Sequence, residues 1–141
     1  MSLEQEQPID DPRRLLGGRY RLDRQIARGG MAEVWLGFDT FLNRQVAVKV
    51  LKPQLVSDAV VAERFRREAI VCAGLSHPNI VAVYDTVEDD GKQAVVMQYV
   101  QGKSLRELLD RRKRLGPLLT IHMGAAMSAA LDVAHRAGLV H

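Results

Sequence analysis

The chain has 141 residues, 47% of them hydrophobic and 26% charged, with a formal net charge of +3. That balance describes one globular domain with enough apolar side chains for a core, and so small a charge argues against nucleic acid without a patterned basic face. A single cysteine, Cys72, excludes an intrachain disulfide and a cysteine metal cluster; neither a signal peptide nor an apolar run long enough to span a bilayer is read here, which fits the cytoplasm.

Residues 1–17 set Glu4, Glu6, Asp10 and Asp11 against Arg13 and Arg14, with prolines at 8 and 12 and no periodicity. The composition predicts a flexible tail. Arg19 to Ile26 alternates apolar and polar residues, as a half-exposed strand does. Gly29-Gly30 then separates two apolar-rich stretches. Paired glycines let backbone amides approach a ligand closely, with φ values that other residues resist. Glu33 to Phe38 returns as a second strand. Asp39 to Arg44, containing Asn43, turns into a third over Gln45-Val46-Ala47-Val48-Lys49-Val50-Leu51. Three antiparallel strands on short loops begin a small sheet. Side chains alternate along a strand, so Ala47, Lys49 and Leu51 share one face and Val46, Val48 and Val50 the other. A lysine in that setting either finds anionic partners for its lost hydration or snorkels to water from an edge strand.

Pro53 ends the third strand or its exit, and Ser57 or Asp58 offers an N-cap for a helix running to about Ala73. Gly74 closes it as a C′ glycine. Arg64, Glu68 and Cys72 lie four apart on one face, while Phe65 and Ile70 supply apolar contacts; Cys72 reads as a buried small hydrophobe rather than a nucleophile. A turn through His77-Pro78-Asn79 leads to a fourth strand over Ile80 to Tyr84. Asp89-Asp90-Gly91 signals a tight turn into a fifth, Gln93 to Val100. The sheet is therefore five-stranded, with one helix inserted after strand three. Past Gly102 the pattern is helical. Ser104 caps a short amphipathic helix, and the basic run Arg111 to Arg114 is a solvated end favoured by the helix dipole. Pro117 opens a long helix, from about Leu118 to Ala137, with a wide apolar face, and Gly138 ends it.

A glycine loop, a strand lysine, a helix glutamate and a strand running into a glycine-containing connector, in that order, resemble the N-terminal half of a protein kinase domain. Gly29-Gly30-Met31, Val46-Ala47-Val48-Lys49, His77-Pro78-Asn79-Ile80-Val81 and Val96-Met97-Gln98-Tyr99-Val100 together resemble the bacterial, eukaryotic-like Ser/Thr kinases, over Tyr20 to His141. The resemblance implies an α+β fold. Residues 18–101 would form the small lobe and hinge, and residues 102–141 the truncated start of a helical large lobe with its first two helices.

It also implies roles. Lys49 would contact the α- and β-phosphates of ATP and Glu68 would pair with Lys49; the other reading of Glu68 is a surface glutamate beside Arg64. Against the loop pattern G-x-G-x-x-G-x-V, Ala27 stands at the first glycine, Gly29 at the second and Ala32 at the third, with Val34 at the valine; Ile26 and Gly30 complete the loop. The other phosphate loop, G-x-x-x-x-G-K-[ST], is absent from the sequence. Val34 and Ala47 would wall the adenine, Met97 would stand at its back or simply fill the core, and the Gln98 carbonyl and Val100 amide would bond its edge.

Leu139-Val140-His141 resembles the lead-in to the kinase catalytic loop, so the catalytic base, the Mg2+ ligands and the activation segment would lie beyond His141. The parent would transfer the γ-phosphoryl group of Mg-ATP to protein Ser or Thr hydroxyls, while this fragment would lack the groups to do so. The rival readings are an inactive, pseudokinase-like module binding nucleotide or a partner, and a small-molecule phosphotransferase, which the His77 and Val96 motifs disfavour. The implied partners are ATP and, in the parent, a protein substrate, with neither nucleic acid nor a membrane segment in this chain. A cytoplasmic location is expected, the parent being open to anchoring by a later segment. The apolar helix, without its large-lobe neighbours, would promote self-association.

Overall fold

A computed structural model of the chain describes residues 15–140. The tail expected over residues 1–17 lies outside them as far as residue 14, and so does His141; its last three residues are not tail, since Leu16 is buried in the core and its N–H donates to the Tyr20 carbonyl at 2.8 Å.

Three strands, β1 (Tyr20–Arg28), β2 (Ala32–Asp39) and β3 (Arg44–Leu51), follow one another antiparallel on short turns. The second turn is written in its residues. Asn43 takes a φ of 54°, which asparagine tolerates better than most, and the Asp39 carboxylate accepts the N–H groups of Phe41 at 3.0 Å and Leu42 at 3.1 Å. Two helices, α1 (Pro53–Val56) and α2 (Ala59–Ala73), then cross to β4 (Val83–Asp89), which turns into β5 (Lys92–Gln98). Asp90 at φ 50° and Gly91 at φ 72° make that turn, the left-handed pair that suits the twist of a two-residue hairpin. The sheet order is β1-β2-β3-β5-β4. Two more helices follow, α3 (Leu105–Arg112) and α4 (Pro117–Arg136).

Strand β3 is covered on both faces, as its alternation requires. Val46, Val48 and Val50 pack with Leu16, Tyr20, Ala94 and Val96, flanked by Leu22, Trp35 and Val87. On the opposite face Leu51 joins Ala32 and Val95 beneath Ala62, Phe65 and Ala69 of α2, with Leu55, Val56, Val61, Val83 and Met97 around them. The three α2 residues recur at helical spacing and form one stripe. Each large apolar side chain buried this way contributes about 1.5–3 kcal/mol.

A polar corner ties the start of β1 to the rest of the sheet. The Arg19 guanidinium grips Asp39 with two hydrogen bonds of 2.8 and 2.7 Å, and it lies 5.0 and 5.2 Å from the rings of Tyr20 and Phe41. Tyr20 donates its hydroxyl to Asp85 at 2.7 Å. Asp39 is only 1% exposed, and Arg19 holds its carboxyl well below the usual carboxylate range. Burial, then the bond to Asp85, push the Tyr20 hydroxyl far above its ordinary value.

Several local expectations change. Two helices, not one, follow β3, because Pro53 has the fixed φ that suits the first position of a short helix. Asp58, not Ser57, caps α2, accepting from Val60 and Val61 at 3.0 and 3.2 Å. Gly74 has a φ of −81° and closes α2 in the right-handed region, so its glycine freedom is unused. Ile70 is 54% exposed; it falls off the stripe that Ala62, Phe65 and Ala69 define. β4 begins at Val83 rather than Ile80, since the Ile80 N–H is committed to the His77 carbonyl at 3.1 Å in a turn. β5 ends at Gln98 rather than Val100. The expected absence of a run long enough for a bilayer is also corrected. Helix α4, 20 residues at a mean hydropathy of 1.3, is long and apolar enough by length and composition; the core helix of a soluble domain passes the same test.

The helix ends follow their signals. Ser104 and Glu107 form a reciprocal capping box on α3, at 3.2 and 2.9 Å. Gly138, at φ 83°, ends α4, where the Leu139 N–H reaches back to the Ala134 carbonyl at 3.0 Å.

Two outcomes test this packing. A Cβ at Gly37 would sit 2.8 Å from the Arg21 carbonyl oxygen and 3.0 Å from a Val48 methyl, so Gly37→Ala is expected to cost about 1–3 kcal/mol, read as a lower urea midpoint. Because the folded-state pKa of Asp39 is depressed, the stability it adds is present above about pH 4, its unfolded value, and is lost as pH falls toward the folded one. Stability curves of the wild type and Asp39→Asn should therefore be well separated near neutrality and converge in acid.

Candidate active site

The site is built around Lys49, the one charged residue of β3 beyond Arg44 at its start. Lys49 stands opposite Val34 of β2 and Val95 of β5, and Ala47 stands opposite Leu36 and Met97. Directly opposed residues of antiparallel strands share a face, so Val34, Ala47, Lys49, Val95 and Met97 lie on the side of the sheet that carries α2. Ala27 opposes Val34 at the edge, and Ile26 falls in the register shift beside it. The sequence-expected wall residues are thus brought together in adjoining rows.

The glycine hairpin closes by a bond from the Gly29 N–H to the Ala32 carbonyl at 2.8 Å, flanked by Arg28 and Glu33 at 3.7 Å. Neither Gly29 nor Gly30 takes a positive φ, which corrects the expectation that the loop needs special backbone angles. A Cβ at Gly30 would meet nothing within 4 Å, and one at Gly29 would come no closer than 3.4 Å to the Ala32 carbonyl. The fold itself therefore has no use for a glycine at position 30. Ala32 is 4% exposed and packs with Leu51 and α2, so the structure places it in the core rather than on the open loop.

Glu68 and Lys49 do not close the expected ion pair. Among the described residues no charged contact of 4.0 Å or less joins them. The register of α2 is set by Ala62, Phe65 and Ala69 in the core, and the Lys49 ammonium lies 5.8 Å from the Phe65 ring centroid. Both charges are still felt at Cys72: burial pushes its thiol up, the Glu68 carboxylate adds to that, and Lys49 partly offsets it. Cys72 is half-buried rather than buried as expected, and its raised thiol agrees with the reading that it is not a nucleophile.

At the end of β5 the chain turns outward. The Gln98 N–H donates to the Ala82 carbonyl at 2.8 Å, and its side-chain oxygen accepts the Ala82 N–H at 3.3 Å. Val100, beyond the strand, is exposed, and among the described residues its N–H takes part in no backbone hydrogen bond. One tie escaped the sequence reading, which took His77-Pro78-Asn79 only as a turn. His77 Nδ1 accepts the Asn79 N–H at 3.0 Å, and Asn79 Nδ2 donates to the Ala126 carbonyl, in the middle of α4, at 3.1 Å. The turn before β4 thus fastens the sheet to the long helix.

A five-stranded antiparallel sheet crossed by a helix after its third strand, with a glycine hairpin and a central lysine on the helix-bearing face, defines the protein kinase fold. The protein kinase domain model matches residues 20–141, and the chain belongs to that family. It is 51% identical over 137 residues to a probable serine/threonine-protein kinase of Streptomyces coelicolor, covering 94% of this chain and 20% of the relative. To the serine/threonine-protein kinase PknA of Mycobacterium tuberculosis it is 47% identical, covering 89% of this chain and 30% of the relative. Among solved structures, the kinase domain of Mycobacterium tuberculosis PknI superposes with a TM-score of 0.79 at 33% identity, covering 90% of this chain and 51% of that one. The chain thus spans under a third of these curated relatives and about half of the PknI kinase-domain chain.

If Asn79 holds α4 to the sheet, Asn79→Ala should leave the β-sheet amides protected and raise hydrogen exchange in the middle of α4. Unchanged exchange there would show that the tie carries no weight.

Proposed function

We infer that the chain is the N-terminal half of a Ser/Thr protein kinase domain whose parent transfers the γ-phosphoryl group of ATP to protein hydroxyls. The observation that carries this reading is Lys49: a half-buried cation in the apolar run Val46 to Leu51 of β3, without a carboxylate within ion-pair distance, on the face bordered by the glycine hairpin. A cation so placed is available to phosphate oxygens, and phosphoryl transfer is catalysed chiefly by such positioning and charge neutralisation.

The remaining residues take roles by their places around it. Gly29 and Gly30, with Ile26 and Ala27 beside them, let the hairpin backbone come down on the phosphates. The space around Gly30 is open, with nothing within 4 Å of where a Cβ would stand, which is compatible with that approach. Val34, Ala47 and Met97 form the apolar wall for the base, and the Gln98 carbonyl and free Val100 N–H are the acceptor and donor at its edge. Ala32 acts from beneath, packing the hairpin onto α2. Glu68 would pair with Lys49 once nucleotide is bound. Among the described residues no three His, Cys, Asp or Glu side chains converge as a metal site; the ligands of the magnesium that accompanies ATP in this family would lie outside them. The exposed Leu118, Ile121 and Met127 on α4 would bury themselves in the large lobe of the parent, and a polypeptide of these 141 residues alone would self-associate through them. The parent's domain is assigned to the cytoplasm.

Calorimetry tests the reading. A polypeptide of these 141 residues should bind ATP or ADP weakly, with little response to magnesium, and should transfer no phosphoryl group. Lys49→Met should weaken that binding tenfold or more, the scale of a lost charged hydrogen bond. Gly30→Ala should weaken binding while leaving the thermal midpoint unchanged. Full affinity in Lys49→Met would remove the lysine from the phosphate site.

A further inference from the structure

Helix α2 offers the Lys49 ammonium two seats. Phe65 is a core residue, 5% exposed, and the ammonium lies 5.8 Å from its ring centroid. Glu68 comes three residues later on the same helix, close enough in phase to face the same strand. In this structure the cation has the aromatic neighbour and not the carboxylate within 4.0 Å. A cation within about 6 Å of an aromatic face is drawn to the ring's negative quadrupole, more so when partly removed from water. Lys49 is half-buried in the sheet, and its backbone is pinned by ladder partners on both sides. Its head can therefore move only over the short arc its four-carbon stem allows.

We propose that Phe65 is a positioning residue: its ring holds the Lys49 ammonium against α2 in competition with Glu68, and so sets how readily the lysine turns to phosphate. The competition with phosphate rests on Lys49 being the phosphate-binding group; the ring seat does not. Phe65 does two jobs at once, filling the core between α2 and the sheet with one part of its ring and steering the only cation in β3 between Gln45 and Leu51 with another. A leucine would do the first and not the second.

The two roles separate in a nuclear magnetic resonance experiment on the whole chain, with lysine labelled at Cε. The ε-methylene protons of Lys49, assigned by their loss in Lys49→Arg, should be displaced upfield by the ring current relative to Lys52, Lys92, Lys103 and Lys113. Phe65→Leu should return them to the common position, and Phe65→Tyr should keep them displaced. A wild-type Lys49 resonance lying among the other lysines overturns the seat without recourse to any variant, so poor folding of Phe65→Leu cannot shelter it. ADP titration gives the second readout. With the competing seat removed, Phe65→Leu should bind ADP about two- to fivefold more tightly, the scale of one cation–π contact, whereas loss of packing alone would weaken binding; weaker or unchanged binding overturns the competition. If the displaced resonance ignores ADP and Lys49→Met binds as well as wild type, the seat stands and the phosphate reading of Lys49 fails instead.

Discussion

The structure depends on one strand being buried on both faces while carrying a charge. From Val46 to Leu51 every side chain of β3 except Lys49 is nearly removed from water, and each face must be covered by something. The valine face closes against Tyr20, Ala94 and Val96 of the sheet itself and Leu16 before it. The other face cannot be closed completely, because an ammonium sealed in an apolar core without a partner would carry a large desolvation cost. Helix α2 therefore covers the Leu51 end, where Phe65 and Ala69 sit, and Lys49 is left half-buried, its ammonium 5.8 Å from the Phe65 ring centroid. The half-covered face that results is the one on which Val34, Ala47, Lys49 and Met97 stand in adjoining rows. Burial and site are two results of the same strand.

Much of this was legible in the residues. Alternation gave the faces of β3, and the chemistry of Asn43, Asp90 and Gly91 gave the hairpins, because left-handed backbone is cheap for few residue types. Asp58, Ser104 and Gly138 marked helix ends for equally local reasons. The misses were of another kind. Ile80-Val81-Ala82 has strand composition, yet its first donor is spent in a turn, which composition does not report. Pairing of β1 with β2 brings Arg19 to Asp39, while Tyr20 and Asp85 meet from the two edge strands of the sheet, and such partners have no spacing to read. The acceptor for Asn79 is a backbone carbonyl, a group every residue has. At the site, helical phase turned both Phe65 and Glu68 toward Lys49, but a difference of less than one turn is below what periodicity resolves. The side chain that reached the lysine was therefore settled by core packing.

The glycines show how pattern and geometry divide the argument. Gly17, Gly18, Gly91 and Gly138 have positive φ, and Gly37 has carbonyl and methyl neighbours where a side chain would go. Their presence is explained by folding alone. Gly30 has neither reason, and the same holds of Gly102, Gly116 and Gly124, where an added methyl would also meet nothing within 4 Å. At such positions packing and backbone geometry allow a larger residue, and the choice of glycine is not written in the fold.

The strand order has a consequence for how the chain comes off the ribosome. β5 lies between β3 and β4, so the most apolar strand keeps a free hydrogen-bonding edge until the last strand in the sequence arrives to fill it. A nascent chain that has delivered β1 to β3 and both crossing helices still presents that edge to any other extended segment. Val46 finds its partner only when Gln98 has emerged, a long loop to close before the contact rewards it. For the interval in which α2 is being synthesised, the exposed edge of β3 is the surface that a chaperone, or a misfolded neighbour, would meet first.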